Sequence, residues 1–220
     1  MKAGEPPGRP ESVVPLLEAG FDELGVSLSA AELEPLRDYV ALVARWGQAL
    51  NLTGHRGPEA IARHLVLGAA ALSRELPELP SINDLGSGAG FPGVPLAILR
   101  RGCRVHLVEA RERRFHFLRE VVRRLGVETL SVERGRIEDI PPSPRSCAIA
   151  QAVGPAAEVL EWMLPWAEDG GWLVLPGSPD ATFPGPDARL GSAVERDYRV
   201  PLGGPVRRLW LARRLGGGAP

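Results

Sequence analysis

An acid followed by closely spaced glycines is the feature of this sequence best suited to chemistry. Asp84 lies in the short apolar stretch Ile82–Leu85, after which the chain reads Gly-Ser-Gly-Ala-Gly-Phe-Pro-Gly. Because glycine has no Cβ, backbone N–H groups in such a turn can approach a ligand closely. The pattern acid-x-Gly-x-Gly-x-Gly therefore predicts a nucleotide-type cradle between a buried strand and a helix. The glycines of this turn are Gly86, Gly88, Gly90 and Gly93.

The glycine spacing separates this turn from other phosphate-binding loops. The dinucleotide pattern Gly-x-Gly-x-x-Gly fails when counted from Gly86, because Phe91 takes its last position, and it matches only from Gly88, late in the turn. No Gly-Lys-Ser/Thr follows, which argues against a P-loop. The alternative interpretation is an ordinary glycine turn in an α/β sheet.

A second acid, Glu109, ends the next predicted strand, Arg104–Glu109. It follows Gly86 by about 20 residues, which is the separation expected for an acid that binds ribose hydroxyls. A carboxylate suits a diol because it can accept two charge-assisted hydrogen bonds. A solvated loop acid is the alternative, and the glycine turn upstream favours the ligand role.

Composition places the chain among ordinary globular proteins. It has 220 residues, of which 44% are hydrophobic and 24% charged, enough for one domain with an appendage. No apolar run approaches the ~20 residues of a membrane span. Cys103 and Cys147 lack metal-ligand spacing, and the four histidines form no cluster along the sequence. We expect a cytoplasmic protein with reduced thiols, no metal and no membrane partner.

The net charge of −1 hides an uneven distribution of charge. Residues 100–136 hold eleven arginines against five acids, and Lys2 is the only lysine. The arginine side chain is a forked donor that suits phosphate, so this segment permits an RNA partner. A merely solvated helix face is the alternative.

The periodicity of apolar residues predicts a helical extension followed by an α/β sheet. We divide the chain into a disordered leader (1–11), an N-terminal helical cap (12–78), a Rossmann-like domain (79–215) and a frayed tail (216–220). Five strands carry the sheet, and an antiparallel hairpin closes it. The loop that contains Asn51 and His55 either caps a helix or borders a pocket, whereas His64 lies on an apolar face and is predicted to be structural.

Several motifs extend beyond the glycine turn. Asn51-Leu-Thr-Gly follows Trp46, and Arg63-His64 precedes the turn, which continues as Gly-Phe-Pro-Gly-Val-Pro. Across about residues 36–176, including Arg113-Arg114-Phe115 and Gly135-Arg136-Ile137-Glu138, the sequence resembles the small-subunit ribosomal RNA methyltransferase G family, also called the glucose-inhibited division protein B family.

This resemblance implies a Rossmann-like class I S-adenosyl-L-methionine (AdoMet)-dependent methyltransferase fold with an N-terminal helical extension. It also implies methyl transfer from AdoMet to N7 of a guanine in 16S ribosomal RNA. Carried over by position, Glu109 binds the ribose, while Ile137 and Glu138 border the adenine. The predicted cofactor-binding residues are Asp84, Gly86, Gly88, Gly90, Phe91, Glu109, Ile137, Glu138 and Gln151.

The acceptor is expected to be 16S rRNA or a small-subunit ribosomal particle, bound by a monomer. No general base is required, because guanine N7 carries a lone pair and no proton. We expect charge reversal at Arg113 and Arg114 to weaken RNA binding and to spare AdoMet binding. The predicted RNA contacts are Arg113, Arg114, Arg119 and Arg123, and the pocket candidates for the base are Asn51, His55 and Gln151.

Three positions depart from the family pattern around the expected acceptor pocket. Leu67 replaces an acid, Gln151 replaces an arginine and Pro176 replaces a lysine. The motifs that are expected to bind AdoMet match the family pattern. Two alternatives therefore stay open, namely a diverged AdoMet-binding or RNA-binding paralogue that is inactive, and a methyltransferase with a different acceptor.

Overall fold

The computed structural model describes residues 13–216. The predicted leader and residues 217–220 of the predicted tail lie outside this range. The strands are β1 (Ser81–Leu85), β2 (Arg104–Glu109), β3 (Leu130–Arg134), β4 (Arg145–Ala150), β5 (Ala167–Gly177), β6 (Val194–Arg199) and β7 (Val206–Arg213). The helices are α1 (Val14–Glu23), α2 (Ala30–Leu50), α3 (Pro58–Ile61), α4 (Leu67–Glu75), α5 (Gly93–Leu99), α6 (Glu112–Leu125) and α7 (Ala156–Met163).

These strands form one seven-stranded sheet in the order β3-β2-β1-β4-β5-β7-β6. The first five strands are parallel, whereas β7 runs antiparallel to β5 and to β6. The order reverses between β1 and β4, and ligands of such sheets bind at this point, beside the carboxyl ends of the strands. The predicted α/β sheet with a closing antiparallel hairpin is confirmed.

The alternation of side chains along the strands builds two hydrophobic clusters. Leu85 of β1 and Val108 of β2 belong to one cluster, and Ile82 and Leu107 belong to the other. Because successive side chains of a strand point to opposite faces, the clusters lie on the two sides of the sheet. All five residues of β1 are buried, as expected for a central parallel strand.

Local sequence signals account for the helix boundaries. Ser29 precedes α2 and exchanges hydrogen bonds with Glu32 in a capping box, which fixes the start of this helix. Gly126 ends α6 in the left-handed conformation. A π-helical turn, Ala62–Val66, separates α3 from α4.

The four N-terminal helices pack against the sheet domain. Residues of α1, α2 and α4 share a hydrophobic cluster with strand residues such as Val105 and Ile149. The division of the chain at residue 79 stays a prediction. Within the described range, no helix is both long enough and apolar enough to cross a membrane.

Candidate active site

The turn after β1 is tied to the end of β2 through its backbone. The N–H groups of Gly86 and Ser87 both donate to the carbonyl oxygen of Val108, at 2.9 and 3.0 Å. Gly86 has φ +71°, and a Cβ there would lie 2.9 Å from the side chain of Val153. Only glycine fits both constraints, so the turn can hold its backbone against the strand ends.

Glu109 lies beside this turn at the end of β2, with 4% of its surface exposed. Its two oxygens accept hydrogen bonds from the backbone N–H of Gly88 at 2.8 Å and of Arg111 at 2.7 Å. A carboxylate has about four acceptor positions, so two positions remain for a ligand with two hydroxyls. The carboxylate is therefore held in place and still able to accept.

The strand ends enclose a first cavity of about 300 Å³. Four residues predicted to bind cofactor line it, namely Gly86, Glu109, Ile137 and Glu138. Trp166 fixes the segment after β3, because its indole N–H donates to the carbonyl of Ile137 at 3.3 Å. A volume of this size is typical of a small-ligand site at the switch point of a parallel sheet.

The structure places Asp84 beneath the turn rather than in the cavity wall. The carboxylate is 1% exposed and accepts a hydrogen bond from the Gly93 N–H at 2.9 Å. Burial raises the pKa of Asp84 to about 7, with a further increase from Glu109, and the Gly93 N–H opposes the change. Asp84 thus links β1 to the start of α5.

The remaining turn residues contact the helical extension. Phe91 packs against the ring of Tyr39, with centroids 5.0 Å apart. The Tyr39 hydroxyl donates to the carbonyl of Ala89 at 2.6 Å. Gly90 has φ +93°, and a Cβ there would lie 2.8 Å from the Tyr39 hydroxyl. The predicted cofactor residues Phe91, Gly88 and Gly90 therefore shape the turn without lining the first cavity.

A second cavity, of about 360 Å³, adjoins the first at the carboxyl end of the sheet. The two share Ala152 and Val153, which follow β4. Gln151 and Arg207 line the second cavity together with Phe183 of the loop after β5. Gln151 and Arg207 also line a third cavity, of about 40 Å³, beside Phe91. The three cavities thus follow one another along the same edge of the sheet.

His55 lies near this edge of the sheet because its ring contacts His64. The two imidazole rings stack with centroids 4.6 Å apart and an interplanar angle of 22°, and His64 lines the third cavity. Asn51 lies at the exposed end of α2 with φ 47°. Of the three predicted pocket residues, the structure therefore brings His55 and Gln151 toward one place and leaves Asn51 outside the cavity walls.

The four arginines predicted to bind RNA have different environments. Arg113 and Arg119 are exposed on α6, and Arg119 lies over the Phe115 ring at 5.8 Å. Arg123 is exposed and pairs with Glu120 at 2.8 Å. The half-buried Arg114 lines the first cavity. The structure therefore separates Arg114 from the exposed face that its neighbours form.

Two of the three departures from the family pattern come together in the structure. Gln151 and Pro176 both line the second cavity. Leu67 is fully buried and packs against Gly20 of α1. The prediction that position 67 borders the acceptor pocket is wrong, because the preceding π-helical turn directs this side chain into the core.

Sequence reasoning missed several residues of the site. Val153 and Trp162 both line the first cavity. Val153 could have been predicted from its position just after β4, whereas no sequence signal marks Trp162. Arg136 lines the same cavity beside the predicted Ile137. Arg207 joins the second and third cavities from β7, and no spacing signal marks it.

Residues 13–216 contain no group of three or more histidine, cysteine, aspartate or glutamate side chains that could hold a metal ion. Cys103 and Cys147 are buried free thiols, and burial raises both of their pKa values.

The sequence is similar to that of known proteins over most of its length. The family model for rRNA small subunit methyltransferase G matches residues 32–182. A protein of that name from Pelotomaculum thermopropionicum is 31% identical over 214 residues, covering 91% of this chain and 90% of the relative. Another from Methylobacillus flagellatus is 36% identical over 188 residues, covering 84% and 87%.

Solved structures show the same fold at lower sequence identity. A Klebsiella pneumoniae protein provisionally assigned as an O-methyltransferase gives a TM-score of 0.59 at 16% identity, covering 93% of this chain and 97% of that one. A SAM-dependent methyltransferase from Aquifex aeolicus gives 0.51 at 17% identity, covering 70% and 93%. The predicted class I methyltransferase fold is confirmed.

Proposed function

Because the chain belongs to the rRNA small subunit methyltransferase G family, we propose that it transfers a methyl group from AdoMet to N7 of a guanine in 16S rRNA. The observation that carries this proposal is the first cavity, where the ends of β1, β2 and β3 meet. A glycine turn, a buried carboxylate and the segment 135–138 after β3 converge there.

These groups match the parts of AdoMet. The two unused acceptor positions of Glu109 suit the ribose diol. Ile137 offers an apolar side chain to the adenine, and Trp162 adds an aromatic wall. The backbone of Gly86 packs against Val153, where the first cavity meets the second, and the methionine portion would point toward this junction.

The second cavity is the proposed site of the acceptor base. It shares Ala152 and Val153 with the first cavity, so a base there would face the reactive end of the cofactor. Gln151 can hydrogen-bond to the edge of a base, and the ring of Phe183 can stack on its face. The exposed arginines of α6 would hold the RNA backbone.

The chain contributes alignment rather than proton transfer to this reaction. AdoMet supplies an activated methyl group on its sulfonium, and guanine N7 supplies a lone pair. Glu109 and the glycine turn orient the donor, while the wall shared by the two cavities aligns donor and acceptor. A monomeric state and a cytoplasmic location belong to the same proposal.

The decisive experiment combines cofactor binding with mapping of the product. Purified protein is titrated with AdoMet by calorimetry and then incubated with AdoMet and unmodified 16S rRNA. N7-methylguanine is located by borohydride reduction and aniline cleavage. We expect saturable heat and cleavage at one guanine.

Each other outcome selects a different alternative. Heat without methylation indicates a paralogue that binds cofactor and is inactive. Methylation of another atom or of another RNA would show that the enzyme has a different acceptor, which the changes at Gln151 and Pro176 allow. No heat and no methylation would contradict the whole assignment.

A further inference from the structure

Three cationic or protonatable side chains from separate elements meet beside the proposed acceptor site. His55 comes from the loop after α2, His64 from the π-helical turn and Arg207 from β7. The histidine rings stack at 4.6 Å, and His64 and Arg207 both line the third cavity. Arg207 also reaches the second cavity, where Gln151 lies.

No acid compensates this cluster within residues 13–216. None of the three side chains takes part in an ion pair there, whereas the neighbouring Arg208 pairs with Asp197 at 3.5 Å. The pKa of His55 is lowered by burial and further by the charges of His64 and Arg207. Half-buried groups that repel one another, without a counter-charge, favour binding of an anion.

We propose that His55, His64 and Arg207 form a phosphate subsite that binds the RNA backbone next to the acceptor base and takes up a proton when it does so. This inference rests on the proposed function, because it assigns the anion to the RNA substrate. Arg207 lines both the second and the third cavity. A phosphate bound by this cluster would therefore lie next to the second cavity, and the acceptor base of the same RNA could enter that cavity.

The other groups around the cluster do not supply the missing negative charge. Tyr198 of β6 lines the third cavity, and burial raises its pKa to about 12, so it stays neutral. Glu75 of α4 pairs with Arg196 at 3.5 Å. Arg63 of the π-helical turn donates to the carbonyl of Leu202. Arg56, in the same loop as His55, adds further positive charge.

The sign of the pH dependence follows from these charges. In the free protein, burial and the neighbouring His64 and Arg207 hold the pKa of His55 below its usual value, whereas a bound phosphate would raise it. RNA binding therefore takes up a proton when the pH lies between the pKa of His55 in the free protein and its pKa in the presence of bound phosphate. Affinity for RNA rises as the pH falls through this window, and affinity for AdoMet does not follow it.

The test compares His55→Gln with the wild-type protein in methylation of unmodified 16S rRNA at about pH 6 and about pH 8. His106→Gln is the matched control, because the pKa of His106 is also lowered by burial and this residue lines none of the three cavities. We expect the wild-type KM for RNA to be about three- to tenfold lower at the acidic pH. The ratio of the two KM values should fall close to one in His55→Gln and should stay at the wild-type value in His106→Gln.

Proton uptake gives an independent readout. Calorimetry of RNA binding in two buffers of different ionisation enthalpy should show uptake in the wild type and less uptake in His55→Gln. Arg207→Gln should raise the KM for RNA, and Arg207→Lys should restore part of the loss. This pair also tests the subsite if His55→Gln fails to fold.

The result that overturns the proposal is specific. It is an unchanged pH ratio and unchanged proton uptake in His55→Gln, together with an unchanged KM for RNA in Arg207→Gln. A failure of the proposed function looks different, because the wild-type protein would then show no AdoMet heat or no methylation of the RNA.

Discussion

Asp84 is a buried acid whose neighbours only partly stabilise its charge. One hydrogen bond from the Gly93 N–H at 2.9 Å favours the carboxylate, while burial and Glu109 disfavour it. The pKa of Asp84 rises from 3.8 to about 7, so the folded protein binds this proton more tightly than the unfolded chain does. Ionised Asp84 therefore destabilises the fold, and this cost is fully present only above pH 7.

Asp84→Asn should remove this pH dependence. Its side-chain oxygen can still accept from Gly93, and the amide carries no charge. Because one pKa unit corresponds to about 1.4 kcal/mol, we expect Asp84→Asn to gain up to roughly 4 kcal/mol over the wild type above pH 7, and little near pH 4. Urea unfolding across this range measures the difference. A difference that stays constant with pH would show that Asp84 has an ordinary pKa.

At the scale of elements, helix α2 supports the turn that holds the proposed cofactor. Tyr39 of α2 reaches the turn between β1 and α5 and donates to the carbonyl of Ala89 at 2.6 Å. Its ring also packs against Phe91. The absence of a side chain at Gly90 makes room for the tyrosine hydroxyl. The helical extension is therefore part of the proposed cofactor site, although none of its residues lines the first cavity.

Tyr39→Phe tests this link, because it keeps the ring contact with Phe91 and removes only the hydroxyl. The buried carbonyl of Ala89 loses its partner, which costs about 1–3 kcal/mol of stability. We expect AdoMet affinity to fall about three- to tenfold because the turn moves. Isothermal calorimetry well below the unfolding temperature measures this affinity.

Val43→Ala is the matched control for Tyr39→Phe. Val43 is a buried residue of α2, so its truncation destabilises the same helix while the hydrogen bond from Tyr39 to Ala89 stays in place. Its AdoMet affinity should equal that of the wild type. An equal loss in both variants would show that Tyr39 acts only through general stability.

At the scale of the whole molecule, the site residues that lie at the ends of strands could be predicted from the sequence. The glycine turn follows β1 directly, Glu109 ends β2 and Ile137 lies shortly after β3, and parallel strands bring their carboxyl ends to one edge. These three parts of the first cavity could therefore be predicted without knowledge of distant contacts, whereas Trp162 could not. The same holds for the sheet, since apolar alternation and glycine turns are local signals.

What the sequence left open depends on packing between distant elements. His64 and Arg207 meet only because the π-helical turn and β7 both pack beside the end of β4. Leu67 follows that turn, and the extra residue in its winding changes which side chains face the core. Arg113 and Arg114 are adjacent in sequence, yet only Arg114 faces the first cavity. Composition and spacing carry no information of this kind.

The exposed face of α6 offers a test at this largest scale, because long-range attraction to RNA depends on where charge lies on the molecule. Arg113→Glu places an acid on the first turn of α6, near the carboxyl edge of the sheet. Arg104→Glu makes the same change at the exposed start of β2, on the opposite edge. We expect Arg113→Glu to weaken RNA binding about tenfold, or 1.4 kcal/mol, and to reduce the salt dependence of log K by about 1.

The control, Arg104→Glu, should change both quantities little, and both variants should bind AdoMet normally, since neither residue lines the first cavity. Arg114 is left unchanged because it does line that cavity. Fluorescence anisotropy with labelled 16S rRNA fragments at several salt concentrations gives both quantities. Equal weakening by the two variants would show that RNA responds only to net charge, and the α6 face would then have no special role.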